Sequence, residues 1–312
     1  MESLRNMNPG VVRERNESRE RKNPRKQEKP KQEVESKEYK PFLFLLPSKK
    51  RKSKENMENK NLLIISVFNY GAIEIATNHL KSLQNQGIDN YMAYVTDEES
   101  LVELQEKGYH VTLFERPIEE GLSKGKEDFG TTHFNDFSYI RYLILGQLLK
   151  EGKTVWYLDV DTVVLSDIRE YYGKILQENN NHLPDIIFQN DINMACSGCM
   201  LCFPTPVTMK ILQDTYLHRN DKYNDQLFLN KIMRPYIEQN HCKIAYFQTN
   251  LFPNGLLYFH APHAHPDYLD LQRRFRDYRD VEKGPVAFVH ANWMVGIDTK
   301  IAAFKEHGLW FL

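Results

Sequence analysis

The strongest pattern in the chain is an alternation of short apolar runs with stretches of helical spacing, starting at Asn61. Asn61–Phe68 (NLLIISVF) reads as a buried parallel strand, and it ends at the turn-forming Asn69-Tyr70-Gly71. Ala72–Gln86 places Ile75, His79, Leu80 and Leu83 at helical spacing, with Gly87 as a stop. Tyr91–Val95 predicts a strand, Glu98–Lys107 a helix and Tyr109–Phe114 a third strand. Phe137–Leu149 predicts an apolar helix that leads into strand Thr154–Leu158. Between these lies Pro117–Thr132, 16 residues rich in Gly and charge, long enough to suggest a binding loop or lid.

Beyond Asp167 the order becomes mixed. Strands are expected at Asp185–Gln189 and Met194–Phe203, then helices at Pro206–Leu217 and Asp225–Met233. Further strands follow at Lys243–Phe247, Leu256–His260 and Val286–His290, with a last helix at Asp298–His307. Repeated strand–helix order argues for an α/β fold, a mixed but mainly parallel sheet flanked by helices. Ligands bind such sheets beyond the carboxyl ends of the strands, which directs attention to Asp159 and Asp161.

Charge divides the chain. Met1–Lys60 holds 18 Lys/Arg against 10 Glu, a net of +8; with a chain total of -1, residues 61–312 carry -9. The first 60 residues are poor in aromatic and branched aliphatic side chains, so a disordered basic tail is expected there and the folded domain over 61–312. Such a tail suits an anionic membrane surface or nucleic acid, or acts only as a solubilising leader; no specific nucleic-acid binding is expected. Phe42–Leu46 is far short of the roughly 20 apolar residues that span a bilayer. With no transmembrane segment and no signal peptide in view, the cytoplasm is the expected location.

Cys196, Cys199 and Cys202 have metal-ligand spacing. They fall in an apolar run that reads as a strand, where residues three apart face opposite sides, so buried thiols are expected instead. His260, His263 and His265 lie among prolines, which predict an irregular surface loop, and suggest acceptor or donor contacts before a second metal site.

Asp159-Val160-Asp161 closes the strand Val155–Leu158. Strand alternation puts the two carboxylates on one side, about 6–7 Å apart. Two acids that close repel unless a cation or donors neutralise them, and a hard divalent ion with oxygen ligands does so. A competing reading is the phosphatase motif of haloacid-dehalogenase-like enzymes, with Asp159 as the phosphorylated nucleophile. That motif normally opens its domain, whereas about 100 folded residues precede it here. His290 ends a strand and can complete a site with two carboxylates, and Lys300 downstream can neutralise a phosphate.

Taken in order, these segments resemble the retaining glycosyltransferases of GT-A (Rossmann-like) fold. The specific likeness is to the nucleotide-diphospho-sugar transferase family, which includes plant cell-wall xylosyl- and arabinosyltransferases; glycogenin-like and bacterial galactosyltransferases are similar more distantly. The resemblance implies that Asn69 and Tyr70 hold the nucleotide base and ribose, and that Arg141 contacts the donor. It implies that Asp159 and Asp161 bind Mn²⁺ or Mg²⁺ together with His290, with Asp159 also sharing the ribose. Ser197 and Gly198 stand where relatives read Asn-x-Gly, the Gly admitting the donor sugar, with Cys196 in place of the Asn. Asp225 and Gln226 would flank the donor sugar as the catalytic pair, and Gly296 and Lys300 would hold the diphosphate. The expected partners are a nucleotide-diphosphate sugar, by resemblance a UDP-sugar, and a glycan, protein or small-molecule acceptor. A sugar-binding protein of this fold without activity is the non-enzymatic alternative.

Overall fold

The computed structural model describes residues 61–115, 132–178, 183–192, 194–219, 223–259 and 286–312. The basic tail, most of the expected loop at 117–132, and His260, His263 and His265 lie outside the described residues. The chain order is β1 (Leu62–Phe68), α1 (Ile73–Asn85), β2 (Tyr91–Val95), α2 (Glu98–Glu106), β3 (Val111–Leu113), α3 (Thr132–Lys150) and β4 (Thr154–Leu158). It continues β5 (Thr162–Val164), α4 (Arg169–Glu178), β6 (Ile186–Asn190), β7 (Ala195–Cys202), α5 (Pro206–Leu217) and α6 (Asp225–Glu238). Then come β8 (Ile244–Tyr246), α7 (Gly255–Tyr258), β9 (Phe288–His290) and α8 (Ile297–Glu306).

Seven strands form the main sheet in the order β3-β2-β1-β4-β7-β6-β8. β3, β2, β1 and β4 run parallel, and β7 enters antiparallel between β4 and β6. The expected mixed, mainly parallel sheet flanked by helices is therefore present. From β1 the chain winds outward through β2 and β3, then returns past β1 to β4. This reversal opens a crevice at the carboxyl ends of β1 and β4.

Strand alternation sorts the core. Trp156 and Leu158 of β4 join Ile64, Phe68, Cys199 and Leu201 on one face, where α1, α2 and α4 pack. Val155 and Tyr157 join Ile65, Met200 and Cys202 on the other, against α3, α5 and α6. β4 is buried at every position, which accounts for its unbroken apolar sequence. Trp156 stacks on Phe247 with centroids 5.0 Å apart and is fully buried, which removes on the order of 3 kcal/mol of apolar surface from water.

Three expectations change. Of the strand expected at Leu256–His260, the described residues are not a strand: Asn254 accepts a hydrogen bond from the Leu257 amide and starts the short helix α7. A run of four apolar residues has no period long enough to separate the two forms, and the capping Asn decides. Helix α4 and strand β5 were not anticipated. β5 owes its form to pairing with β9, more than 120 residues away, through Thr162↔His290 and Val163↔Val289.

Candidate active site

Two antiparallel pairings assemble the site. Between β4 and β7, Leu158 faces Cys199, and the Asp159 amide donates to the Gly198 carbonyl at 2.8 Å. Between β5 and β9, Thr162 faces His290, and the Ala291 amide donates to the Asp161 carbonyl at 2.8 Å. The motif Asp159-Val160-Asp161 thus sits between Gly198 on one side and His290 on the other. One ligand atom from each of Asp159, Asp161 and His290 lies within 4.8 Å of the others, and among the described residues this is the group of that kind.

The two acids have different surroundings. Asp161 is buried, with Lys300 Nζ at 2.6 Å and His290 Nε2 at 3.2 Å. Burial alone would raise its carboxyl, but the charges of Lys300 and His290 outweigh that and hold it below the usual carboxylate range. Asp159 Oδ1 accepts the Tyr157 hydroxyl at 2.6 Å and lies 3.1 Å from Arg141 Nη1. Arg141, on α3, also donates to the Ser197 carbonyl and stands 3.6 Å from Asp225 Oδ2. Burial works against its charge, but Asp159 and Asp225 more than compensate and raise it above the usual arginine value. Arg141 is thus a buried bridge between two carboxylates.

His290 is oriented from behind. The Gln189 Nε2 donates to the carbonyls of Pro253 at 2.9 Å and Phe252 at 3.3 Å, so its Oε1 must be the atom 2.8 Å from His290 Nδ1. His290 therefore carries a proton on Nδ1 and presents Nε2 to Asp161. With Nδ1 committed to Gln189, Nε2 is the ring atom that can ligate a cation beside the Asp161 carboxylate. The donor set of two carboxylates and a neutral imidazole fits a divalent metal. Gly198 completes the close packing: a Cβ there would run into the Asp159 carboxylate and reach 2.6 Å from His290 Cε1.

Asp225 and Gln226 open α6, whose start is set by Asn224 accepting from the Leu227 amide at 2.8 Å. Asp225 takes the Tyr142 hydroxyl at 2.9 Å. Gln226 Oε1 accepts from the Ser197 amide at 3.2 Å, which joins α6 to the strand that carries Gly198. Gly296 is the residue before α8, in the left-handed region at φ 87°, and Lys300 lies one turn on. Asn69 and Tyr70 stand at the carboxyl end of β1, the same sheet end as Asp159. The Tyr70 ring is exposed, and its amide is fixed by Asp97 at 2.8 Å.

Sequence reading passed over several of the residues that shape the site. Tyr157, Gln189, Asp191 and Asp97 follow or sit within apolar strands, where a polar residue is itself a signal. In the sequence His79 is one position of the helical stripe in Ala72–Gln86. It is fully buried: Ser66 Oγ donates to Nε2 at 2.9 Å, and Nδ1 faces Thr162 Oγ1 at 2.9 Å. Thr162 Oγ1 in turn donates to the Asp159 carbonyl at 2.7 Å, so α1 braces the acidic turn. Burial pushes the His79 pKa down to about 4. The three clustered cysteines are free and buried as expected, with Cys199 and Cys202 in opposite cores. Cys196 Sγ lies 3.8 Å from His290 Nδ1, on the side away from Asp161.

A profile of the nucleotide-diphospho-sugar transferase family matches residues 86–304, well over half the chain. The chain belongs to this family. This transferase-family chain is similar to UDP-galactose:fucoside alpha-3-galactosyltransferase of Dictyostelium discoideum, at 24% identity over 296 aligned positions, 81% of this chain and 43% of the relative. It is also similar to UDP-D-xylose:L-fucose alpha-1,3-D-xylosyltransferase 3 of Arabidopsis thaliana, at 23% identity over 278 positions, 82% of this chain and 67% of the relative. The family member spans less than half the length of the first of these. Among solved structures it is similar to the apo-form glycosyltransferase GlyE of Streptococcus pneumoniae, with a TM-score of 0.49, 14% identity, and coverage of 80% of this chain and 64% of that one. No described helix is long and apolar enough to cross a membrane.

Proposed function

We propose that this chain is a metal-dependent glycosyltransferase of GT-A type, with a domain over 61–312 that moves a sugar from a nucleotide diphosphate to an acceptor hydroxyl with retention. The observation that carries the proposal is the meeting of Asp159, Asp161 and the Nδ1-protonated His290 beside Lys300 and the bare backbone of Gly198. Mn²⁺ or Mg²⁺ held by the three ligands would supply positive charge to the departing diphosphate. The remaining work falls to the chain itself.

Lys300 and the start of α8 at Gly296 receive the diphosphate; Asn69 and Tyr70 receive the base and ribose, and Asp159 shares the ribose. Arg141 fixes the Asp159 carboxylate and the Asp225 carboxylate in one plane of charge beside the donor. Gly198 and Ser197 let the sugar lie against β7, and Asp225 and Gln226 flank it. The Gln226 carbonyl oxygen stabilises positive charge at the anomeric carbon as the leaving-group bond lengthens. An amide is a poor nucleophile, so retention follows from attack on the same face, with a phosphate oxygen of the leaving group accepting the acceptor's proton.

Both relatives are named for a UDP-sugar donor, a fucose or fucoside acceptor and an alpha linkage. We extend to this chain a UDP-sugar donor and a deoxyhexose-type acceptor. The family match over residues 86–304 argues against Asp159 as a phosphorylated nucleophile. The test is incubation with UDP-galactose or UDP-xylose and a fucoside in Mn²⁺, followed by NMR of the product. An alpha-linked disaccharide glycoside supports the reading; a beta linkage contradicts retention. Nucleotide-sugar binding without turnover of any donor would favour the sugar-binding alternative.

A further inference from the structure

Asp191 sits behind Gln226 and has no part in the scheme above. It is buried to 5% exposure, and the donors gathered on its carboxylate come from two segments far apart in the chain, α6 and Asn292-Trp293 after β9. Gln226 Nε2 donates to Oδ2 at 2.8 Å, Asn292 Nδ2 to Oδ1 at 3.2 Å, and the Trp293 indole N–H also to Oδ1. A carboxylate offers only lone pairs, so it accepts the NH₂ end of the Gln226 amide and refuses the carbonyl end. The other end of that amide accepts from the Ser197 N–H at 3.2 Å. Both contacts demand the same orientation.

The backbone around this carboxylate is strained. Asp191 closes a tight β6–β7 turn, its amide donating to the Met194 carbonyl at 2.9 Å and its carbonyl accepting from the Met194 amide at 3.3 Å. The next residue, Ile192, lies at φ 50°, and Trp293 lies at φ 67°. A β-branched residue and a bulky aromatic in the left-handed region each cost on the order of 1–3 kcal/mol. Both flank one hydrogen-bond centre, and both are held where their neighbours can meet Asp191.

We propose that Asp191 is a positioning residue for Gln226: by taking the amide NH₂ it turns the carbonyl oxygen toward Ser197 and Gly198, the side on which the donor sugar lies. The inference rests on the proposed function for the importance of that oxygen, but not for its orientation. A free Gln amide has two nearly equal orientations; Asp191 selects the one that presents a lone pair, and not an N–H, to developing positive charge. Trp293 and Asn292 hold the carboxylate still.

Two experiments on the full chain separate orientation from consequence. Gln226→Glu sets a carboxylate against Asp191 at the 2.8 Å contact, and the Tm at pH 8 is expected to fall by several degrees. Pairing Gln226→Glu with Asp191→Asn restores a donor facing an acceptor, and the Tm is expected to recover most of the loss. An unchanged Tm in Gln226→Glu, or no recovery in the pair, overturns the orientation, and this arm needs no substrate. In the kinetic arm, Asp191→Asn frees the amide to flip, so kcat is expected to fall at least tenfold while KM for the UDP-sugar stays within about twofold. Added to Gln226→Ala, the same change should cost nothing further, because the oriented group is already gone. An unchanged kcat in Asp191→Asn, or additive losses in the double variant, overturns the positioning role. Absence of transfer by the wild-type chain counts against the proposed function and leaves the thermal result to decide the orientation.

Discussion

The parallel side of the sheet and the antiparallel side contribute unequally to the site. β3, β2, β1 and β4 form a regular parallel βα framework, from the half-buried β3 at its edge to the fully buried β4. Of the Asp159, Asp161 and His290 group it delivers Asp159 at the end of β4, and Asp161 two residues on. The antiparallel side, β7 with the β5–β9 pair and the helices α6 and α8, delivers what converges on those acids: Gly198, His290, Lys300 and Gln226. One side makes a stable edge from local pattern. The other makes chemistry by pairing segments that are more than 100 residues apart, such as Asp161 and Lys300 at 2.6 Å. This difference predicts that small changes on the antiparallel side disable the site while the framework stays folded.

Gly198→Ala should break the comparison most severely. Its Cβ meets the Asp159 carboxylate and the His290 ring, neither of which can yield without leaving the site. Steady-state transfer by this variant should fall by about a hundredfold or more, with a circular dichroism spectrum like that of the wild type. Gln189→Leu acts one layer further out. It removes the acceptor that keeps His290 protonated on Nδ1, and Mn²⁺ affinity measured by calorimetry should weaken by about 10–100-fold.

His79 sharpens the contrast from the framework side, where the expected effect is on stability. Its pKa is held at about 4 in the folded chain against about 6.5 unfolded, so below pH 6.5 the unfolded chain takes up a proton that the folded chain refuses. Stability contributed by neutral His79 is thus complete above pH 6.5 and is lost as pH falls toward 4, by about 3 kcal/mol across that window. His79→Gln should remove that part of the slope in urea titrations at pH 7, 5.5 and 4.5. A slope equal to that of the wild type would show that His79 is not the group responsible.

How far the sequence could be read follows the same division. The framework strands were visible because each is a run of apolar residues bounded by turns, and a period-2 or continuous run survives any tertiary context. Asp159 and Asp161 were visible because acids at the end of a buried strand are expensive without a purpose. Strand β5 was not, since Thr162–Val164 becomes a strand only by pairing with Phe288–His290. Helix α7 was misread as strand because four apolar residues carry no period, and the deciding signal was the cap at Asn254. Gln189, Asp191 and His79 were hidden for another reason. Their roles depend on which atom faces which neighbour, and neither composition nor spacing encodes an amide's orientation or a tautomer.

The central claim is that Asp159, Asp161 and His290 bind a divalent ion that couples to a nucleotide diphosphate. The most direct measurement is the Tm of wild type and Asp161→Asn with UDP, in Mn²⁺ and in EDTA. A ligand that binds only the folded chain raises its Tm. The account predicts that UDP raises the wild-type Tm by several degrees in Mn²⁺, by little in EDTA, and by little in Asp161→Asn under either condition. Equal stabilisation by UDP with and without Mn²⁺, or an undiminished response in Asp161→Asn, would contradict it.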